Sequence, residues 1–81
     1  MEGEHLDTLE RMVVSPAAGI FAPADLPERL VTAGTTIGFV HAGETAVPVE
    51  VPWDGHLVAV DAVDGERLTR FQRIAWLRSA S

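Results

Sequence analysis

Apolar and polar residues alternate along several short stretches of this chain. In residues 45–51, TAVPVEV, the three valines fall on one side of an extended chain, and alanine, proline and glutamate fall on the other. Proline cannot donate to a sheet, so Pro48 predicts an edge strand or a bulge. Similar short apolar segments recur between Pro- and Gly-containing turns. This pattern predicts an all-β sandwich or small barrel without a long helix.

The alternating pattern defines one domain over residues 12–81, preceded by a flexible, acidic tail over residues 1–11. A chain of this length is a single domain with a modest core. The predicted extended segments are MVV (12–14), IFAP (20–23), IGFVH (37–41), TAVPVEV (45–51), HLVAVDAV (56–63) and RIAWLR (73–78). In the last of these, we expect Ile74 and Trp76 to share the face that packs in the core.

The two halves of the domain repeat each other. VSPAAGIF (14–21) matches EVPWDGHL (50–57), and LVTAGTTIGFV (30–40) matches RLTRFQRIAWL (67–77). At one constant offset, the second match pairs Val31 with Leu68, Ile37 with Ile74, and Phe39 with Trp76. The repeat predicts two half-domains related by a pseudo-twofold axis, with the stretch HAGETAVPVEV (41–51) forming a hairpin at their junction.

Composition narrows the possible functions. The 81 residues carry a formal net charge of −6, which argues against nucleic acid and anionic membranes as partners and favours a protein partner. Cysteine is absent, and all six basic residues are arginines, so disulfides, thiolate sites and lysine-linked cofactors are excluded for this sequence. With no apolar membrane span and no secretory signal, we expect a cytoplasmic protein.

The paired Pro-x-x-Gly turns and the intervening hairpin resemble the biotinyl/lipoyl attachment domain family over about residues 12–78. The nearest likeness is to the biotin carboxyl carrier protein of acetyl-CoA carboxylase. This resemblance implies a flattened β-barrel of two small antiparallel sheets that displays a modified lysine at the hairpin tip. The family's Ala-Met-Lys-Met motif falls on Ala42, Gly43, Glu44 and Thr45, so a glutamate occupies the lysine position.

Glutamate lacks the nucleophilic nitrogen that an amide to biotin or lipoate requires, so no cofactor is expected on Glu44. The resemblance then implies a non-catalytic, carrier-like module that docks on a carboxylase or another multienzyme. Five residues are candidate partner contacts: Ala42, Gly43, Glu44, Thr45 and Trp53. Two plainer interpretations stay open. In the first, the tip residues form an ordinary solvated turn. In the second, Trp53 packs over the end of the barrel.

A second functional class is a ligand-binding protein or enzyme that uses surface carboxylates such as Glu44 or Asp54. No sequence spacing brings two carboxylates together for catalysis, and His41 and His56 are expected at opposite ends of the domain, where they cannot share a metal. Neither catalytic nor metal-binding residues are therefore assigned. Arg67, Arg70 and Arg73 suggest a small basic patch, and the plainer interpretation is a solvated loop.

Overall fold

The computed structural model describes residues 10–26 and 28–79 as an arrangement of eight strands, with no helix among these residues. Accordingly, the described part of the chain contains no helix of the length and hydrophobicity that crossing a bilayer requires. The strands are β1 (Glu10–Val14), β2 (Gly19–Pro23), β3 (Leu30–Val31), β4 (Thr36–Ala42), β5 (Thr45–Glu50), β6 (Gly55–Val60), β7 (Arg67–Leu68) and β8 (Arg73–Ser79).

The strands form two antiparallel four-stranded sheets, in the orders β1-β8-β6-β3 and β5-β4-β2-β7. The predicted all-β fold, a flattened barrel of two small sheets, is confirmed. Strand β5 lies at a sheet edge, as Pro48 predicts, and Pro48 pairs there with Phe39. Strand β1 begins at Glu10, two residues before the predicted start at Met12, and the rest of the predicted tail lies outside the described residues.

The internal repeat of the sequence is also a repeat of the structure. Strands β2, β3 and β4 correspond to β6, β7 and β8, and the order β5-β4-β2-β7 maps position by position onto β1-β8-β6-β3. The hairpin of β4 and β5 thus has its counterpart in the pairing of β8 with β1. The predicted pseudo-twofold relation between the halves is confirmed by this topology.

Each half contains a β-bulge at the same point of the repeat. In β4, Thr36 pairs with Glu50 and Gly38 with Val49, so Ile37 is the extra residue. The pairing of β1 with β8 shifts in the same way around Ile74. A bulge lets two consecutive residues face the core and reverses the alternation that follows.

The bulges correct the prediction that Ile74 and Trp76 share a core face. Ile74 and Ala75 are both fully buried, whereas Trp76 lies on the outer face and is only half-buried. The Arg73 guanidinium lies 5.5 Å from the centre of the Trp76 ring. Phe39, the counterpart of Trp76, is likewise 38% exposed.

The core lies between the two sheets and takes side chains from both halves. Burying each large apolar side chain contributes about 1.5–3 kcal/mol, so this shared layer is the main source of stability. The buried hydrophobic residues are Val13, Phe21, Val31, Ile37, Val40, Val49, Val51, Leu57, Ala62, Leu68, Ile74, Ala75 and Leu77.

Two equivalent glycines allow close approach of the backbone at the two ends of the barrel. A Cβ on Gly19 would overlap the carbonyl oxygen of His41, and a Cβ on Gly55 would overlap the carbonyl oxygen of Arg78. His41 and Arg78 are themselves counterparts in the repeat. The Gly of each Pro-x-x-Gly turn is therefore required by packing.

The turns before β4 and β8 share their hydrogen bonds as well. Thr35 N donates to Thr32 O, as Gln72 N donates to Thr69 O, and the third residue of each turn has a positive φ. In the first turn that residue is Gly34, at φ 93°, and in the second it is Phe71, at φ 71°. A bulky residue with positive φ is strained, because its Cβ crowds the backbone.

The two ends of the barrel carry different features. The β4–β5 tip lies at one end, and the β5–β6 turn lies at the other. Glu10 at the start of β1 pairs with Arg78 near the end of β8, and Gly55 at the start of β6 pairs with Ser79. The start of β1 and the end of β8 therefore lie together, at the end opposite the hairpin tip.

We expect Phe71→Gly to stabilise the fold by about 1 kcal/mol, because it relieves the positive-φ strain at an exposed position. The midpoint of urea unfolding measures the change. The reciprocal control, Gly34→Ala, introduces the same strain in the other half and is expected to lower the midpoint. A lower midpoint for Phe71→Gly would contradict the assigned turn geometry.

Candidate functional site

The hairpin tip is a two-residue turn. Ala42 pairs with Thr45, which leaves Gly43 and Glu44 as the two central residues. Gly43 has φ 63° while Glu44 does not have a positive φ, the pattern of a type II′ turn. Glycine is preferred at this first position, so the local sequence accounts for the tight turn.

The tip presents its side chains to solvent. Gly43, Glu44 and Thr45 are exposed, and Ala42 is half-buried. Within residues 10–26 and 28–79, the Glu44 carboxylate makes no hydrogen bond or ion pair. The tip therefore carries an accessible negative charge at the position where the resemblance expects a lysine.

Trp53 lies away from this tip, in the β5–β6 turn at the other end of the barrel. Its side chain is 37% exposed, and the Arg11 guanidinium lies 4.2 Å from the centre of its ring. A cation over an indole face is a favourable contact that holds the ring in place. The structure thus separates Trp53 from the four tip residues, and the five candidate contacts do not form one surface.

An open groove of about 520 Å³ lies beside the tip. Its walls are three segments, residues 18–20, 41–43 and 67–69. Ile20 pairs with His41 on one side and with Arg67 on the other, so the three side chains form a row across sheet β5-β4-β2-β7. Sequence reasoning missed this groove, because the row appears only once the strand pairing is known.

The groove offers two basic side chains and an apolar floor. Arg67 and His41 are the groove's ionisable residues, and both are exposed, whereas Ile20, which lies between them, is the apolar part of the floor. The carboxylates of the alternative hypothesis, Glu44 and Asp54, do not line it. This groove is therefore suited to an anion rather than to acid chemistry by the protein.

Asp54 has a structural contact at the opposite end of the barrel. Its Oδ1 accepts a hydrogen bond of 2.7 Å from the backbone N–H of Ala33, which ties the β5–β6 turn to the turn before β4. Nearby, Arg78 Nη2 lies 2.9 Å from Glu10 Oε2. The chain's own carboxylates thus bind the Ala33 N–H and the Arg78 Nη2 group at this end.

The histidines are separated as predicted. His41 lies two residues before Gly43, and His56 lies at the start of β6, at the far end. Among the residues that the structure describes, no three His, Asp or Glu side chains are grouped as metal ligands would be. Ser15 is buried and donates its Oγ hydrogen bond to Ala17 O at 2.6 Å, a local contact within the turn that follows β1.

The three arginines of the suggested basic patch lie on different elements. Arg67 lies on β7 in one sheet, whereas Arg73 lies on β8 in the other, where it forms an ion pair of 2.8 Å with Asp61. Arg70 lies in the turn between them, with its guanidinium 5.0 Å from the Phe71 ring. Of the three, Arg67 alone lines the groove.

Comparisons with solved structures place this architecture among known folds. This chain is similar to urea carboxylase of Kluyveromyces lactis, with a TM-score of 0.76 and 18% identity over 85% of the length of this chain. It is also similar to a succinylglutamate desuccinylase/aspartoacylase of Rhodobacter sphaeroides, with a TM-score of 0.67 and 22% identity over 86% of the length of this chain.

The chain has a biotinyl/lipoyl-like fold. It spans only 6% of the length of the urea carboxylase chain and 22% of the other. No protein-family model and no curated protein matches the sequence. Similarity at these identities describes the fold, and function has to be argued from the site.

We expect Asp54→Ala to destabilise the domain by about 0.5–1.5 kcal/mol, because the Ala33 N–H loses its acceptor. Urea unfolding measures the loss. Asp54→Asn is the control, since its amide oxygen still accepts and should restore much of the stability. Equal losses for both variants would show that the charge of Asp54, and not its hydrogen bond, is what matters.

Proposed function

We propose that this chain is a carrier-like protein-interaction module that takes neither biotin nor lipoate and docks on a carboxylase or another multienzyme. The observation that carries the proposal is an exposed, lysine-free hairpin tip on a biotinyl/lipoyl-like fold. Similarity to part of a carboxylase chain supports the choice of partner class.

The chemistry of the tip supports an accessory role rather than a carrier role. Attachment of biotin or lipoate forms an amide with a side-chain amine, and the sequence contains no lysine to supply one. Glu44 places a carboxylate at the tip instead. An exposed charge on a tight turn contributes to the orientation and rate of docking, and it favours a partner that places a neutral or basic group opposite Glu44 itself.

Residues Ala42, Gly43, Glu44 and Thr45 form the proposed docking surface. The type II′ turn holds the four residues in one conformation, so little entropy is lost when a partner binds them. Trp53 belongs to the opposite end and would contact a different part of a large partner. The alternative role in catalysis or ligand binding by Glu44 or Asp54 gains no support, because neither carboxylate lines the groove.

We expect Glu44→Lys to reduce capture of the partner by about tenfold, the equivalent of about 1.4 kcal/mol, because it reverses the charge at the tip. The measurement is affinity capture from native lysate, with the retained proteins quantified by mass spectrometry. Gly43 is left unchanged, since its positive φ is needed for the turn.

The matched control is Glu50→Lys, which makes the same charge change on an exposed residue at the other end of β5. The proposal expects a carboxylase or related multienzyme to be held by the wild type and by this control, and to be lost with Glu44→Lys. Equal retention by all three proteins would contradict docking through the tip.

A second test addresses the position of Glu44. If this residue replaces the attachment lysine, Glu44→Lys should become a substrate for a biotin or lipoate ligase, while the wild type and Glu50→Lys should not. Intact-mass spectrometry after incubation with each ligase reports the modification. Failure of both ligases to modify Glu44→Lys would contradict the assigned register.

A further inference from the structure

We propose that the groove beside the tip binds a carboxylate, carried by an Asp or Glu side chain in an exposed turn of the protein partner. This inference rests on the proposed docking function and names the chemistry of the partner's contact. It is derived from a comparison of the two ends of the barrel, which the internal repeat makes equivalent.

The turn before β4 shows how this fold holds a carboxylate. The backbone N–H of Ala33, the second residue of the turn, donates to Asp54 Oδ1 at 2.7 Å. In the repeat, Arg70 corresponds to Ala33, and Ala18 corresponds to Asp54. The methyl group of Ala18 cannot accept a hydrogen bond, and in residues 10–26 and 28–79 no other acceptor is bonded to the N–H of Arg70.

The geometry of the two turns is the same, so the N–H of Arg70 is positioned as that of Ala33 is. The backbone bond from Gly34 N to Val51 O measures 2.8 Å, and its counterpart from Phe71 N to Ser15 O also measures 2.8 Å. The residue before each donor is a threonine that forms the same turn bond. Arg70 itself lies just beyond the groove, next to the wall residue Thr69, so a carboxylate entering over Ala18 would meet this donor at the margin of the groove.

The basic side chains of the groove differ from those of its counterpart, where Arg78, the counterpart of His41, is already paired with Glu10 at 2.9 Å. Arg67 lines the groove, whereas its counterpart in the repeat is Leu30. Arg67 forms no ion pair with the described part of the chain, so its guanidinium is available for a bidentate contact. His41 adds a second nitrogen-bearing side chain on the other side of Ile20.

The composition of the groove wall suits a carboxylate that has an apolar side chain beside it. None of its lining residues is acidic, although the chain carries twelve Asp and Glu residues. Ile20 provides an apolar floor, and Phe71, 67% exposed, follows closely after Thr69 in the wall. A turn that presents one carboxylate beside an apolar side chain matches these features.

The partner's turn is the favoured source because the chain already shows this recognition with an Asp held in a turn. In addition, Ala42 and Gly43 belong both to the tip and to the groove wall. A protein seated on the tip would therefore cover the groove, whereas a free acid would gain only one charged contact in a site open to water.

The test is a titration of the full, ¹⁵N-labelled chain followed by backbone amide shifts. The probe is the blocked peptide acetyl-Pro-Trp-Asp-Gly-amide, which copies the chain's own turn, and the matched control carries Asn in place of Asp. We expect saturable shifts at the amides of Thr69 and Arg70, with none at Ala33, and affinity for the Asn peptide about fivefold or more weaker.

Two variants locate the site. Arg67→Gln is expected to weaken binding of the Asp peptide by about tenfold. Ala18→Asp supplies an internal carboxylate, so it should shift the Arg70 amide without peptide and abolish binding of the peptide. This variant leaves the tip sequence unchanged, and its stability is checked by the same urea unfolding as Asp54→Ala.

The inference is overturned if the Arg70 amide does not respond, or if the Asp and Asn peptides bind equally. Sodium acetate is the third probe, and acetate binding as tightly as the Asp peptide would overturn the assignment to a protein partner. These readouts do not involve Glu44, so loss of capture by Glu44→Lys with no peptide binding would leave the docking function standing and remove only the carboxylate site.

Discussion

The fold depends on two similar halves burying one shared core. Neither half has enough apolar surface to be stable alone, so Phe21 and Ile37 from the first half have to pack against Leu57 and Ile74 from the second. Within each half, close approach of adjacent strands requires Gly19 or Gly55, and the bulges at Ile37 and Ile74 turn the strands around the core. The exposed tip and turns are connected directly to the strands that carry this core.

Because the scaffold is duplicated, differences between its halves are informative. The backbone hydrogen bonds of the two equivalent turns agree to within about 0.1 Å, yet the side chains around them differ in charge. At one end, Asp54 accepts the hydrogen bond of the Ala33 N–H, and Glu10 pairs with Arg78. At the other end, Ala18 has no side-chain acceptor for the equivalent backbone N–H. On one repeated backbone, differences between surface residues are therefore sufficient to make the two ends chemically distinct.

The sequence pattern predicts the fold better than it predicts the site. Alternation in residues 45–51, the Pro-x-x-Gly turns and the repeat are local signals, and they led to the correct architecture. The predicted burial of Trp76 in the core was wrong, because a bulge shifts the alternation of the strand by one residue. No local sequence signal marks that bulge. The groove was missed because Ile20, His41 and Arg67 are distant in sequence and meet only through strand pairing.

The side-by-side arrangement of the start of β1 and the end of β8 has a topological consequence. A polypeptide that enters the domain at Glu10 and leaves it at Ser79 does so at one end of the barrel, the end far from the tip of the β4–β5 hairpin. The unit can therefore be inserted into, or tethered to, a larger protein through one attachment point. The tip of the hairpin then points away from the attachment point, so the attached chain does not cover it.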